Sequence, residues 1–257
     1  MTILDFSERK QNHQKISMIT CYDASFAKLV NNSKIDCILI GDSCSMVMHG
    51  EKTTIPATIE MMVSHTKAVR NGTDKFILSD MPFLSTRKGI EHTVDCAGKL
   101  LVVGANGVKI EGIFGQEEII KHLVQSGIPV MSHIGLTPQF YNALGGHKRQ
   151  GKTEQARQKI KEEALLSETL GCFGILLECI PEDLASEITK EAKIATIGIG
   201  AGKNCDGQVL VLQDMLGMSD FKPKFVHQYL QGASLITDAF NQYAVEVSDG
   251  TFPYSDN

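Results

Sequence analysis

The sequence predicts a single (β/α)8 barrel (TIM barrel) spanning residues 1–257, with a short helix at 1–13 and a loose polar tail at 248–257. Three observations predict it. The 257 residues match the roughly 250 that one such barrel takes. Short apolar runs alternate with helical stretches at intervals of roughly 20 to 40 residues, the pattern of parallel βα units. Four of those runs end in a carboxylate, at Asp42, Asp80, Glu111 and Glu178, and strand ends are where barrels of this kind carry their chemistry. An open doubly wound sheet is the alternative arrangement of the same units.

Taken in order, Thr2 can cap a first helix running to about His13, amphipathic through Ile3, Leu4 and Phe6. Residues 16–20 read as a strand and 25–31 as a helix. The run 37–42 reads as a second strand, and residues 43–56 as a loop. A helix follows from Ala57 or Thr58 to Arg70, with Ile59, Met62, Val63 and Thr66 on one face, and Asn71-Gly72 stops it. A third strand, 76–80, leads into a helix ending near Val103. Gly104-Ala105-Asn106 then turns the chain into a fourth strand, 107–112. Residues 116–125 read as a helix, 128–132 as a fifth strand, and 137–152 as a basic loop. Helix 153–170 precedes the sixth strand, 174–178; Pro181 starts another helix, and 195–198 is the seventh strand. The eighth has two candidates, 209–212 and 224–226.

Composition excludes several classes. The hydrophobic fraction of 42% suits a large core, and no apolar run approaches the roughly 20 residues of a membrane span. A net charge of −5 argues against a nucleic-acid surface. The first ten residues lack the basic-then-apolar order of a signal peptide. Seven cysteines without a CxxC spacing read as reduced thiols, so the expected setting is cytoplasmic.

The fourth strand is the most informative. Val108 and Ile110 share one face of it, Lys109 and Glu111 the other. An unpaired buried charge costs several kcal/mol, on the order of the values for isolated ions, so this pair faces each other, water, a metal or a ligand. Any one strand-end carboxylate can be a turn residue or a helix cap. Four at equivalent places converge on one mouth, where like charges repel unless a cation offsets them. A hard divalent ion fits oxygen ligands, and Mg2+ typically takes one or two carboxylates plus water and substrate. Asp42, Asp80 and Glu111 are therefore the expected Mg2+ ligands, Glu111 directly or through water. His133, near the end of the fifth strand, is either a substrate contact or a core histidine satisfied by a carbonyl.

Seven stretches, in order, carry a family resemblance: Thr20-Cys21-Tyr22-Asp23, Ile40-Gly41-Asp42-Ser43, Ser79-Asp80-Met81-Pro82-Phe83, Val108-Lys109-Ile110-Glu111-Gly112, His133-Ile134-Gly135-Leu136-Thr137-Pro138-Gln139, Leu177-Glu178-Cys179-Ile180-Pro181 and Gly198-Ile199-Gly200-Ala201-Gly202. Along nearly its whole length the chain resembles the ketopantoate (3-methyl-2-oxobutanoate) hydroxymethyltransferases. The resemblance implies one Mg2+ per subunit and 5,10-methylenetetrahydrofolate as co-substrate. It also implies the first committed step toward pantothenate and coenzyme A, and a ring-like homo-oligomer, a decamer. Carried over by position, it makes Asp42, Asp80 and Glu111 the metal site. Asp42, Ser43, Asp80 and Lys109 become the contacts to 3-methyl-2-oxobutanoate, and Glu178 the catalytic acid/base. Cys44-Ser45 stands where the family commonly has Leu-Gly, and Ile113 where it commonly has a second glycine. These departures spare the charged groups and bear on loop shape.

The implied chemistry is an enolate stabilised by Mg2+ and by Lys109, with Ser43 donating to the oxo acid. Glu178 either takes the C3 proton, the reading favoured, or helps open the folate iminium. The plainer roles are a Lys109–Glu111 structural pair and a Ser43 loop cap. The segment 145–152 is either a lid whose cations meet the folate tail or a solvated turn. Gly198, Gly200 and Gly202 read as tight turns at the rim, not a dinucleotide loop. Two rivals remain: a Mg2+-dependent lyase of the isocitrate-lyase type, whose Lys/Cys/Gly/His loop is missing here, and a non-catalytic binder on the same scaffold.

Overall fold

A computed structural model describes residues 1–219 and 223–254. The chain divides into two compact units, Met1–Val209 and Leu210–Asn257. The strands are β1 (Ile16–Thr20), β2 (Cys37–Ile40), β3 (Phe76–Asp80), β4 (Gly107–Glu111), β5 (Val130–Gly135), β6 (Gly174–Glu178), β7 (Ala195–Ile199) and β8 (Gly207–Leu210). They form a closed barrel in sequence order, parallel in each recorded pair from β1–β2 to β7–β8. Closure removes the open-sheet alternative.

Helix α1 (Ile3–Gln11) precedes the barrel, and α2 (Ala24–Asn31), α3 (Cys44–Val47), α4 (Ile59–Arg70), α5 (Ile90–Val102), α6 (Glu117–Gln125), α7 (Tyr141–Leu144), α8 (Glu154–Thr169) and α9 (Glu182–Glu191) connect the strands. Their starts follow capping chemistry. Asp23 accepts from the Ser25 and Phe26 N–H groups at α2, Thr58 from Met61 at α4, and Thr153 from Ala156 at α8. On α4 the buried residues are Met62, Thr66 and Val69.

A two-residue period separates the barrel interior from its helix-facing side. Ile16, Met18, Cys37, Leu39, Phe76, Leu78, Met131, Leu176, Ala195, Ile197 and Val209 form one apolar cluster with Phe6 of α1. Phe6 packs edge-on against Phe76 and Phe173, with centroids 5.3 and 5.1 Å away. Continuing the same parity up each strand reaches Asp80, Lys109, Glu111, His133 and Glu178. The barrel thus has an apolar floor and a charged mouth.

Some boundaries differ from the sequence expectation. The 43–56 loop contains α3, and the 137–152 loop contains a 3-10 turn (Pro138–Phe140) and α7. The fifth strand runs over Val130–Gly135 rather than 128–132, because pairing with β6 extends to Gly135 opposite Glu178. The eighth strand overlaps the first of its two candidates; residues 224–226 form a turn in which the Val226 N–H donates to the Pro223 carbonyl.

In the second unit, α10 (Leu212–Met215) and α11 (Gly232–Ser248) were not anticipated from the sequence. The described part of the predicted tail turns back on α11: Thr251 N–H donates to the Glu246 carbonyl and Tyr254 Oη to Glu246 Oε2. Residues 255–257 lie outside the described residues. All seven cysteines are free thiols. Among the described residues no helix is long and apolar enough to cross a membrane.

Candidate active site

The parallel register sets the site row by row. Asp80 lies opposite Lys109, Glu111 opposite His133, and Gly135 opposite Glu178. Asp42 stands two residues beyond β2 and turns inward, its N–H donating to Asp80 Oδ2 at 2.9 Å. Carboxylate oxygens of Asp42, Asp80 and Glu111 all lie within 4.8 Å of one another, and all three residues are buried. The three expected metal ligands therefore do come together.

Lys109 is the cation among them. Its Nζ lies 3.1 Å from Asp80 Oδ1, 3.8 Å from Glu111 Oε1 and 2.9 Å from His133 Nδ1. Burial favours the neutral amine, but Asp80, Glu111 and Asp42 outweigh it and hold the ammonium above the usual lysine value. One cation does not balance three buried acids. Burial, then the charges of Glu111 and Asp80, push the Asp42 carboxyl well above the usual carboxylate range. Burial raises Asp80 as well, against the pull of Lys109. Burial works upward on Glu111 too, yet His133, Lys109 and the Gln139 N–H hold it below its ordinary value.

The residues present fit a divalent cation. The donors are all hard oxygens, one ammonium serves three buried carboxylates, and Asp80 Oδ1 accepts no well-directed hydrogen bond despite its buried place beside Lys109. Such a set matches Mg2+ better than Zn2+.

His133 links the cation to Glu178. Its Nδ1 is 3.3 Å from Glu111 Oε1 and its Nε2 is 3.2 Å from Glu178 Oε2. Burial and the Lys109 charge lower the imidazole, while Glu111 and Glu178 push it up to about 9. Nδ1 lies between Lys109 Nζ at 2.9 Å and Glu111 Oε1 at 3.3 Å, while Nε2 faces Glu178. His133 is thus a bridge within the site rather than a core histidine held by a carbonyl.

Glu178 closes β6 and is the least buried of the site acids, its side chain 19% exposed. Cys179 follows at φ 48°, a left-handed conformation that costs a non-glycine residue about 1 kcal/mol. Gly135 explains how tightly this corner is packed: φ is +94°, and a Cβ there would sit 2.4 Å from the Glu178 carbonyl oxygen. Gly135→Ala is therefore expected to lower stability by about 1–3 kcal/mol and to reduce turnover by displacing Glu178. Thermal melting with steady-state kinetics checks this, and an unchanged melt refutes it.

Ser43 lies at the rim with its Oγ 2.8 Å from the Tyr22 hydroxyl. A Cβ at Gly41 would meet that Oγ at 2.7 Å, so glycine lets the serine swing in behind Asp42. The two departures from the family pattern are absorbed by packing. Ser45 Oγ donates to the Asp42 and Thr53 carbonyls, Cys44 Sγ lies 3.7 Å from Met62 Sδ, and Ile113 is fully buried.

One site residue carried no role in the sequence reading. Gln139 is the middle residue of the 3-10 turn; its backbone N–H donates to Glu111 Oε2 at 3.0 Å, and its Nε2 to Asp42 Oδ2 at 2.8 Å and the Met81 carbonyl at 2.9 Å. The first N–H groups of a helical turn have no internal partner, and Pro138 ahead of it starts that turn. That is the local signal; the 97-residue separation from Asp42 hides the rest.

Beside the site, a cavity of about 220 Å³ lies between the loops after β4 and β5 and helix α8, lined among others by Arg87, Phe114, Phe140, Gln150 and Lys159. A larger open depression along α9 is lined by Glu182, Asp183, Glu187 and Glu191, away from these groups.

Comparison with known proteins agrees with this geometry. The profile of a family described as ketopantoate hydroxymethyltransferase matches residues 1–255. The chain is 54% identical to the 3-methyl-2-oxobutanoate hydroxymethyltransferase of Francisella tularensis subsp. novicida, covering 98% of this chain and 96% of that protein. It is 55% identical to the protein of that name from Bdellovibrio bacteriovorus, covering 98% and 97%. Among solved structures, phosphonopyruvate hydrolase in complex with oxalate and Mg2+ superposes with a TM-score of 0.65 at 10% identity, over 100% of this chain and 90% of that one. 2,3-Dimethylmalate lyase, of the PEP mutase/isocitrate lyase superfamily, gives 0.63 at 12%, over 100% and 91%. At such identities these two bear on the fold alone.

Proposed function

The chain belongs to the ketopantoate hydroxymethyltransferase family, and we propose that it moves a hydroxymethyl group from 5,10-methylenetetrahydrofolate to 3-methyl-2-oxobutanoate, with Mg2+ held by Asp42, Asp80 and Glu111. The observation that carries the reading is the convergence of those three buried carboxylates with Lys109 on one side and Glu178 on the other, joined through His133.

Bound there, Mg2+ supplies Lewis acidity toward the carboxylate and ketone oxygens of a 2-oxo acid. Every other role falls to the chain. Lys109 brings a fixed positive charge to the developing enolate oxygen from a dry site, where such charge acts most strongly. Ser43 Oγ, poised by Tyr22, donates to the substrate at the rim. Glu178 takes the C3 proton through a carboxylate that stands 3.2 Å from His133 Nε2. Water opens the methylene bridge, both C–N bonds break, and tetrahydrofolate departs, leaving the one-carbon unit at the formaldehyde level. The C3 carbanion adds to that carbon, and the resulting alkoxide takes a proton to become the hydroxymethyl group. The apolar floor below Lys109 keeps bulk water from the lower side of the site.

The same reading places the protein in pantothenate and coenzyme A synthesis, in the cytoplasm, as a homo-oligomer, by resemblance a decamer. Free thiols support a reducing setting. An apolar stripe on α11 supports self-association: Ile236, Phe240, Tyr243 and Val247 are 38%, 68%, 56% and 49% exposed, at the spacing of one helix face. Phe240→Glu is expected to shift native mass toward smaller species; a wild-type protein that runs as a monomer contradicts assembly. The function itself is tested by supplying 3-methyl-2-oxobutanoate, methylenetetrahydrofolate and Mg2+. Ketopantoate is the expected product. Cleavage of a 2-oxo acid instead, or no turnover, overturns the proposal.

A further inference from the structure

Each carboxylate of the cluster has one oxygen already engaged. Asp42 Oδ2 accepts from Gln139 Nε2, Asp80 Oδ2 from the Asp42 N–H, and Glu111 Oε2 from the Gln139 N–H. Among the described residues, the Gln139 amide is the only hydrogen-bond donor to the Asp42 carboxylate. Of the second oxygens, Asp80 Oδ1 and Glu111 Oε1 face Lys109 Nζ at 3.1 and 3.8 Å, whereas Asp42 enters no salt bridge among the described residues, so the Gln139 amide weighs most on Asp42. The amide orientation follows from its neighbours, because Asp42 Oδ2 and the Met81 carbonyl are both acceptors and the NH2 group must face them.

We infer that Gln139 is a positioning residue that sets metal selectivity, by keeping Asp42 with its side chain, and Glu111 with its backbone, from offering both oxygens to one ion. Ca2+ takes about 6–8 oxygens and readily uses both oxygens of a carboxylate, whereas Mg2+ demands a near-octahedral set and keeps several waters. A cluster restricted to single oxygens therefore favours the smaller ion. Releasing Asp42 Oδ2 makes room for a two-oxygen contact and weakens that preference. The Glu111 clamp comes from the backbone, so a side-chain substitution at 139 isolates the Asp42 half. The inference rests on reading Asp42, Asp80 and Glu111 as the metal site.

The test is displacement of Mn2+, followed by its electron paramagnetic resonance signal, by Mg2+ and by Ca2+ on the full-length protein. Four proteins are compared: wild type, Asp80→Asn, Gln139→Met and Gln139→Glu. Gln139→Met keeps the length of the side chain and loses its donors. Wild type is expected to bind Mn2+ in a manner lost in Asp80→Asn. In Gln139→Met the Ca2+ to Mg2+ affinity ratio is expected to rise about 10-fold or more, within the range for changes to groups that orient metal ligands. Gln139→Glu, which adds an oxygen beside Asp42, is expected to move the ratio the same way, and it decides the matter if Gln139→Met does not fold. An unchanged ratio in the folded variant overturns the inference alone. Wild-type protein without Asp80-dependent Mn2+ binding overturns both the inference and the metal site beneath it.

Discussion

Glu178→Gln is expected to lower turnover by about 10²–10⁴-fold, the usual contribution of a positioned general base, while leaving divalent-ion binding intact. The amide keeps the shape of the carboxylate beside His133 Nε2, which stands 3.2 Å from Glu178 Oε2. It cannot take a proton from carbon. Glu178 is also outside the cluster of Asp42, Asp80 and Glu111, so metal affinity and base function separate in one variant. The discriminating readout is deuterium wash-in at C3 of 3-methyl-2-oxobutanoate without folate. Loss of exchange assigns proton removal to Glu178. Persisting exchange with lost turnover moves Glu178 to the folate side of the reaction.

The second large effect is expected from Lys109→Met. Methionine fills much of the same volume but leaves three buried acids with no ammonium among them. Removing one partner of a buried ion pair typically costs about 3–5 kcal/mol, which for a domain of this size lowers the melting temperature by on the order of 10 °C. The pH dependence has a definite sign. The Asp42 and Asp80 carboxyls are raised in the folded protein, so the folded state binds more protons than the unfolded one above the ordinary carboxylate value of about 3.9. Their contribution to stability therefore falls as pH rises from there through the raised folded values, and losing Lys109 deepens that fall. Added Mg2+ is expected to restore much of the lost stability by binding only the folded cluster, without restoring turnover. Melting curves across pH, with Mg2+ and with a chelator, check both parts; a variant melting like wild type in chelator refutes the charge balance argued here.

The charged mouth was legible in the sequence because it is written in short-range terms. A two-residue period and a position at a strand end suffice to put Asp80, Lys109, Glu111 and Glu178 on one inward row, and the structure places them there. Asp42 was read as the last residue of a second strand spanning 37–42; the strand stops at Ile40, and the turn after it brings Asp42 inward, its N–H donating to Asp80 Oδ2. The clamps on that row were harder to see. Gln139 sits in a stretch that reads as a basic loop, and its partners come from the ends of β2, β3 and β4, so no local periodicity announces it. His133 was visible as a candidate, but its role depends on two neighbours, Lys109 and Glu178, on different strands. The eighth strand is short, and its residues Gln208 and Leu210 are not fully buried, so its apolar signal merges with the start of α10. Helix α11 carries apolar residues around much of its surface, many of them exposed, which blurs the one-sided pattern by which a docked helix is recognised.

The central claim is that Glu178 takes the C3 proton of a 2-oxo acid beside the Asp42–Asp80–Glu111 cluster, where a bound divalent ion would supply Lewis acidity. Proton NMR of 3-methyl-2-oxobutanoate in D2O, with the wild-type protein and no folate, measures this step by itself. The account predicts C3 deuteration with Mg2+ that stops on chelation and is lost in Asp80→Asn. Deuteration that continues undiminished in chelator, or none at saturating Mg2+, would contradict it.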